Sequence, residues 1–157
     1  MVVIYIPLLG NVMRNQRTGR VTLIDFEYGG VNNRGADIAN FWNEWAGGTQ
    51  AEMNGVCEYG RFPSHDEQRE FCAAYLAETL SETLSESEVR SSRSPDPDAV
   101  DALVAEANAF VQVNHWYWGL WAVNQAVLEG VEEFDYVTYA ESRAKRYWAT
   151  KQLEAEA

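Results

Sequence analysis

The sequence predicts an α+β chain, mostly helical, with one short β-hairpin at its N-terminal end. Apolar residues recur at helical spacing in four stretches from residue 37 onward. Strand-like apolar runs are confined to the first 26 residues, and glycine, proline and polar clusters separate the segments. At 157 residues, 46% of them hydrophobic and 13% aromatic, the chain is long enough to bury a core as one domain.

Taken in order, Val2 to Leu9 and Val21 to Phe26 read as two strands, with the polar run from Arg14 to Arg20 as the turn. The arms of this hairpin, assigned to residues 1–26, carry Asn11 on one side and Asp25 on the other. After Gly29-Gly30 and Asn32-Asn33, the spacing of Ile38, Phe41, Trp42 and Trp45 predicts a helix from Asp37 to Trp45. Ser64 with Glu67 three residues on has the form of a capping box, and Phe71, Tyr75, Leu76 and Leu80 follow at helical intervals. Helices are therefore placed over 37–84, and the polar, twice proline-bearing stretch 85–98 reads as a flexible loop. The C-terminal helices occupy 99–157: one from about Ala99 to Leu128 that ends before Gly130, and one from Tyr136 to about Leu153, with a frayed end beyond it. Gly119 inside the first costs about 1 kcal/mol relative to alanine, and such a glycine marks close packing or a nearby ligand.

Lys and Arg number 12 against 24 Asp and Glu, a formal charge of -12 that disfavours nucleic acid and anionic membranes as partners. A small cation or a metal-bound nucleotide suits it better, although acidity of this kind also serves solubility alone. Cys57 and Cys72 have neither a metal-site spacing nor the density of a disulfide scaffold. No stretch reaches the ~20 apolar residues of a membrane span. A cytoplasmic protein without membrane insertion is the expectation.

An Asp leaving a strand beside an Asn from the neighbouring arm suits Mg²⁺, whose octahedron of hard oxygens is completed by nucleotide phosphates. Asn11 and Asp25 have that placement, and an Asp before a turn is also an ordinary local cap. Trp118 and Trp121, at i and i+3, read equally as core.

The string LIDFEYGGVNNRGADIANFWNEWAG closely resembles the metal-binding segment of choline/ethanolamine kinases. WGLWAVNQA and EFDYVTYAESRAKRYW resemble the family's two C-terminal helical motifs in the same order, and PSHDEQREFCAAYL resembles its intervening helix. The resemblance extends from Gly10 to near the C-terminus. It implies the C-terminal lobe of a kinase-like fold, with ATP as co-substrate, Mg²⁺ as cofactor, and ethanolamine or choline as acceptor of the γ-phosphoryl group in phospholipid head-group synthesis. On that likeness Asp25 and Asn11 are metal ligands, and Asp37 braces the catalytic loop by accepting backbone hydrogen bonds. A helix N-terminal cap is the alternative for Asp37. Trp118, Trp121 and Tyr139 line the amine site, where an ammonium over ring faces gains ~2 kcal/mol when desolvated, and Glu44 adds a carboxylate.

The likeness breaks before Asn11. The family's His-Asn-Asp triplet aligns with Ile4, Tyr5 and Ile6, so the catalytic base position holds Ile6, which cannot accept a hydroxyl proton. The strand-rich nucleotide lobe of the family has no counterpart in the sequence. The chain accordingly reads as a fragment of a kinase, inactive alone; the alternative is a catalytically dead remnant that serves as a binding or dimerisation module, with a homodimer as one partner state. The NEWAG and EFDY strings resemble the ethanolamine kinases more, and Thr49 stands near where choline kinases supply another aromatic ring.

Overall fold

The computed structural model describes residues 11–25, 29–49, 52–83 and 95–156. Two strands, β1 (Val12–Arg14) and β2 (Val21–Leu23), precede four helices: α1 (Arg34–Glu44), α2 (His65–Thr83), α3 (Pro97–Leu128) and α4 (Tyr136–Glu156). A 3₁₀ turn, Tyr59–Arg61, lies between α1 and α2. The α+β reading holds: a helical assembly with a two-stranded antiparallel hairpin at one end.

The hairpin pairs Val12 with Leu23, Met13 with Thr22 and Arg14 with Val21. The arm that pairs with Val21–Leu23 is therefore Val12–Arg14; the expected first strand, Val2 to Leu9, lies outside the described residues. The turn chemistry explains the register. The Asn15 side chain accepts from the backbone N–H groups of Arg17 and Thr18 at 2.9 and 3.0 Å, and the Asn15 N–H donates to the carbonyl of Arg20 at 2.8 Å. These local bonds close the chain one residue inside Arg14 and leave Val12–Arg14 as the paired arm.

Helix α1 starts three residues before Asp37. Asn33, extended at φ −72° and ψ 137°, occupies the cap position, and its carbonyl already accepts from Ala36 at 3.0 Å. Asp37 thus sits in the first turn, and the alternative reading of it as the N-cap is corrected. Gly35 belongs in this helix because α3 lies against it: a Cβ there would come within 3.0 Å of the Glu106 side chain and carbonyl. Arg34 reinforces the contact by donating to Glu106 at 2.9 Å.

The capping box that opens α2 forms as read: the Ser64 N–H donates to the Glu67 carboxylate at 2.8 Å, and the Glu67 N–H to the Ser64 hydroxyl at 3.4 Å. Helix α3 begins at Pro97, two residues before the expected start, so the end of the expected 85–98 loop is helical. Asp96 caps it by accepting from the Asp98 N–H at 3.2 Å, and Pro97 brings a φ already suited to the first turn. Helix α4 runs three residues beyond Leu153, to Glu156.

With 32 residues, α3 is about 48 Å long and forms the spine on which α1, α2 and α4 pack. Its first half closes one core with Ile38, Trp42 and Cys72. Its second half closes another, in which Trp118 and Ala122 meet Tyr139 and Ala140 of α4. No described helix is long and apolar enough to cross a membrane.

Candidate functional site

At the hairpin end, the register that pairs Val12 with Leu23 brings Asn11 beside Ile24, whose N–H donates to the Asn11 carbonyl at 3.0 Å. The next residue, Asp25, leaves the strand with φ +64°, a left-handed conformation that is unfavourable for a residue with a Cβ. That turn swings its carboxylate back toward Asn11, whose amide nitrogen donates to it at 3.4 Å. Asn11 is buried and Asp25 exposed. Two hard-oxygen side chains are thus convergent at an open edge once the amide presents its oxygen, a rotation that leaves its shape unchanged. The donor set fits Mg²⁺ in part: among the described residues no group of three or more His, Cys, Asp or Glu gathers around a metal position, so most of an octahedron is left to phosphate or water oxygens.

The second constellation lies where α1, α3 and α4 meet. Trp118 and Trp121 face each other edge to face with centroids 5.4 Å apart, and Trp121 meets Tyr139 in the same way at 6.5 Å. The fold brings together the three rings singled out in the sequence. Trp118 and Tyr139 are 5% and 1% exposed, so Trp121, half-buried, offers most of the accessible ring surface. Trp118 is fixed by its indole N–H, which donates to Asn40 of α1 at 2.6 Å. Gly48, at φ +103°, lies so close to Tyr139 that a Cβ would sit 3.2 Å from the ring. A Cβ at Gly119 would meet Cβ of Arg143 at 3.6 Å, an ordinary van der Waals distance, so close packing does not require a glycine there.

Glu44 reaches the same region from the end of α1, but its carboxylate accepts from the Arg143 guanidinium, and both side chains are buried. Burial raises the pKa of Glu44, and the facing guanidinium opposes that rise. Arg143 also donates to the Tyr139 hydroxyl from Nε at 2.9 Å and from Nη2 at 2.6 Å, while its Nη1 lies 3.2 Å from Nδ1 of His115. Since guanidinium nitrogens only donate, Nδ1 accepts and the imidazole proton resides on Nε2. Burial, then the charges of Arg143 and Arg146, push His115 down to about 2, so its ring is neutral.

Sequence reasoning did not find this polar knot. Asn40, Asn114, His115 and Arg143 all sit at buried positions of otherwise apolar helix faces, and Asn114 donates to Asn40 at 2.8 Å. Polar residues at core phase were the available signal, because they remain in a core only with partners. Of the other site expectations, Asp37 is half-buried in the first turn of α1, and Ile6 lies outside the described residues. A separate cleft of about 170 Å³ lies beside α1 and α3, lined by Asn32, Ala36, Phe110, Val113, Asn114 and Tyr117.

A hairpin ending in a convergent Asn and Asp, followed by a helical assembly with a ring cluster at its centre, defines the C-terminal lobe of a kinase-like fold. Residues 8–148 match the family model of choline/ethanolamine kinase. The chain is 34% identical to a probable choline kinase 1 of Arabidopsis thaliana over 92% of its own length and 38% of that protein's. A probable ethanolamine kinase of the same plant is 36% identical over 93% of this chain and 34% of the relative. Human ethanolamine kinase 1 is 32% identical over 92% and 29%, respectively. A solved ethanolamine kinase of Plasmodium vivax superposes with a TM-score of 0.73 at 25% identity, covering 93% of this chain and 33% of that one. This chain belongs to the choline/ethanolamine kinase family. It spans about a third of the length of the curated relatives it matches.

Proposed function

We propose that this chain carries the metal-binding hairpin and the amine-binding helices of an ATP-dependent ethanolamine or choline kinase. In the cytoplasm such an enzyme moves the γ-phosphoryl group of ATP to the amino-alcohol hydroxyl for phospholipid head-group synthesis. The observation that carries the reading is the convergence of Asn11 and Asp25, 3.4 Å apart at an exposed edge, with Asp25 held at an unfavourable φ of +64°. Strain of that kind is tolerated where a side chain must be aimed. Asp25 and Asn11 would hold Mg²⁺, which neutralises charge on the nucleotide phosphates when bound.

The Trp118, Trp121 and Tyr139 cluster supports the amine half of the reading. Ring faces attract an ammonium and tolerate both a primary and a quaternary one. With Thr49 where choline kinases place an additional ring, ethanolamine is the favoured acceptor. Asp37 would support the catalytic loop from the first turn of α1. The base position falls on Ile6, so the 157-residue chain is a binding part of the kinase and turns over no substrate by itself.

Calorimetry of a family-length protein that contains this segment, with Mg²⁺·ADP and with ethanolamine, tests the proposal. Binding of both is expected, with the nucleotide signal reduced at least about tenfold by Asp25→Ala and the amine signal unaffected by that change. Loss of neither on Asp25→Ala, or phosphotransfer by the short chain at the rate of a family-length protein, would overturn it. The runner-up, a remnant acting as a binding or dimerisation module, draws support from one face of α3. Val113, Tyr117, Leu120, Val123 and Val127 are exposed there at near-heptad spacing. A chain that sediments as a homodimer and binds neither ligand would favour that reading.

A further inference from the structure

The guanidinium of Arg143 joins three helices: Glu44 on α1, His115 on α3 and Tyr139 on its own helix α4. It is 0% exposed, and a buried guanidinium is stable only beside a counter-charge. Among the described residues, the other groups that face this cluster are Tyr139, His115, Cys57, Tyr59 and Arg146, of which none offers a carboxylate. Glu44 is therefore the ionised partner. Both lone pairs of the Tyr139 hydroxyl are taken by Nε and Nη2, and the guanidinium carbon stands 5.0 Å from the centre of the Tyr139 ring.

We infer that Arg143 is a positioning residue of the amine site: it takes up the charge of Glu44 and fixes the Tyr139 ring on which Trp121 packs, so that a bound amine meets the accessible face of Trp121 and not the carboxylate. The inference rests on the amine-site reading above. It assigns to Glu44, Arg143 and Tyr139 a joint role in which the glutamate serves the arginine. Recognition then depends little on whether the ammonium carries N–H groups, because no acceptor carboxylate is free to select for them.

The test compares the wild-type chain with Arg143→Met, Arg143→Lys and the double variant Glu44→Gln/Arg143→Met, each first checked for helical content by circular dichroism. The Glu44 carboxyl is followed by ¹³C NMR without amine, and ethanolamine and choline affinities are measured across about pH 6 to 8. In the wild type the Glu44 signal is expected to be flat over that range, and both amines to bind with a pH-independent Kd. In Arg143→Met the carboxyl titrates, affinity for both amines falls about tenfold, and ethanolamine binding becomes pH-dependent. Removing Glu44 as well abolishes that dependence. Arg143→Lys, which keeps the charge but not the fork, retains a flat Glu44 signal and recovers only part of the affinity, because one ammonium cannot hold the Tyr139 hydroxyl through two nitrogens. A general packing defect would move neither the titration nor the lysine rescue.

Wild-type affinity and a flat pH profile in Arg143→Met would overturn the inference. So would a Glu44 carboxyl that titrates in the wild type. If Arg143→Met does not fold, Arg143→Lys decides: a titrating Glu44, or an affinity loss beyond about tenfold, overturns the inference. Failure of wild-type chain to bind either amine overturns the amine-site reading itself, and the carboxyl titration, read without amine, distinguishes the two failures.

Discussion

The hairpin end and the three-helix junction are built on opposite terms. At the hairpin, Asp25 is exposed, its backbone is left-handed, and among the described residues its side chain accepts one long hydrogen bond, of 3.4 Å, from Asn11. At the junction, Glu44, His115, Tyr139 and Arg143 are buried, and each is bonded to the guanidinium or carries it. One site holds unspent donor capacity and strain; the other has matched its charges internally. The contrast teaches that a polar group contributes to stability where its partners belong to the chain, and is free for a ligand where they do not.

The largest effect that would sharpen this contrast is expected from Glu44→Ala. It leaves the Arg143 guanidinium buried without its carboxylate, which costs about 3–5 kcal/mol in comparable pairs. Urea unfolding should show that loss, whereas Asp25→Ala at the exposed edge should move the midpoint little. Equal losses from the two would erase the distinction between the regions.

A second effect follows from the neutral His115. The unfolded chain takes up a proton near the ordinary value of 6.5, while the folded chain resists until about 2. The folded state therefore binds fewer protons in that window, and its stability falls by up to about 1.4 kcal/mol per pH unit as the pH drops below about 6.5. Urea midpoints taken at about pH 7.5 and about pH 5.5 should diverge in the wild type and converge by that amount in His115→Gln. An unchanged divergence would place the acid sensitivity elsewhere.

The smallest expected effect has the opposite sign. Asp25→Gly releases a left-handed residue from its Cβ, and after the entropy of glycine is subtracted the folded chain should gain about 0.5–1 kcal/mol. The same change should abolish the Mg²⁺·ADP signal in calorimetry of a family-length protein. A chain that becomes less stable on this substitution would show that Asp25 supports the fold.

Legibility in the sequence followed the distance over which each feature is made. The Ser64–Glu67 capping box spans four residues, and all its atoms lie within about one helical turn, so its pattern was sufficient to predict it. The periods of α2, α3 and α4 were legible for the same reason, as was the existence of a hairpin around the turn at Asn15. The hairpin's pairing was not: Val12–Arg14, left out of the expected strands, forms the arm opposite Val21–Leu23, because Asn15 closes the turn through its own side chain. The start of α1 was likewise misplaced at Asp37, since nothing local shows that Gly35 belongs inside the helix until α3 is seen to pack against it.

The candidate site divides along the same line. Residue types and family likeness singled out Asn11, Asp25, Trp118, Trp121 and Tyr139, and the proximity of the rings at i and i+3 on α3 is a local property of the helix. The partner of Glu44 is Arg143, 99 residues away, and no local pattern connects them. That pairing exists because α1 and α4 both pack on α3 and exclude water from the space between them. Composition and periodicity determine which groups are charged and which helices form, whereas only the packed arrangement decides which charges lose their water and must find each other.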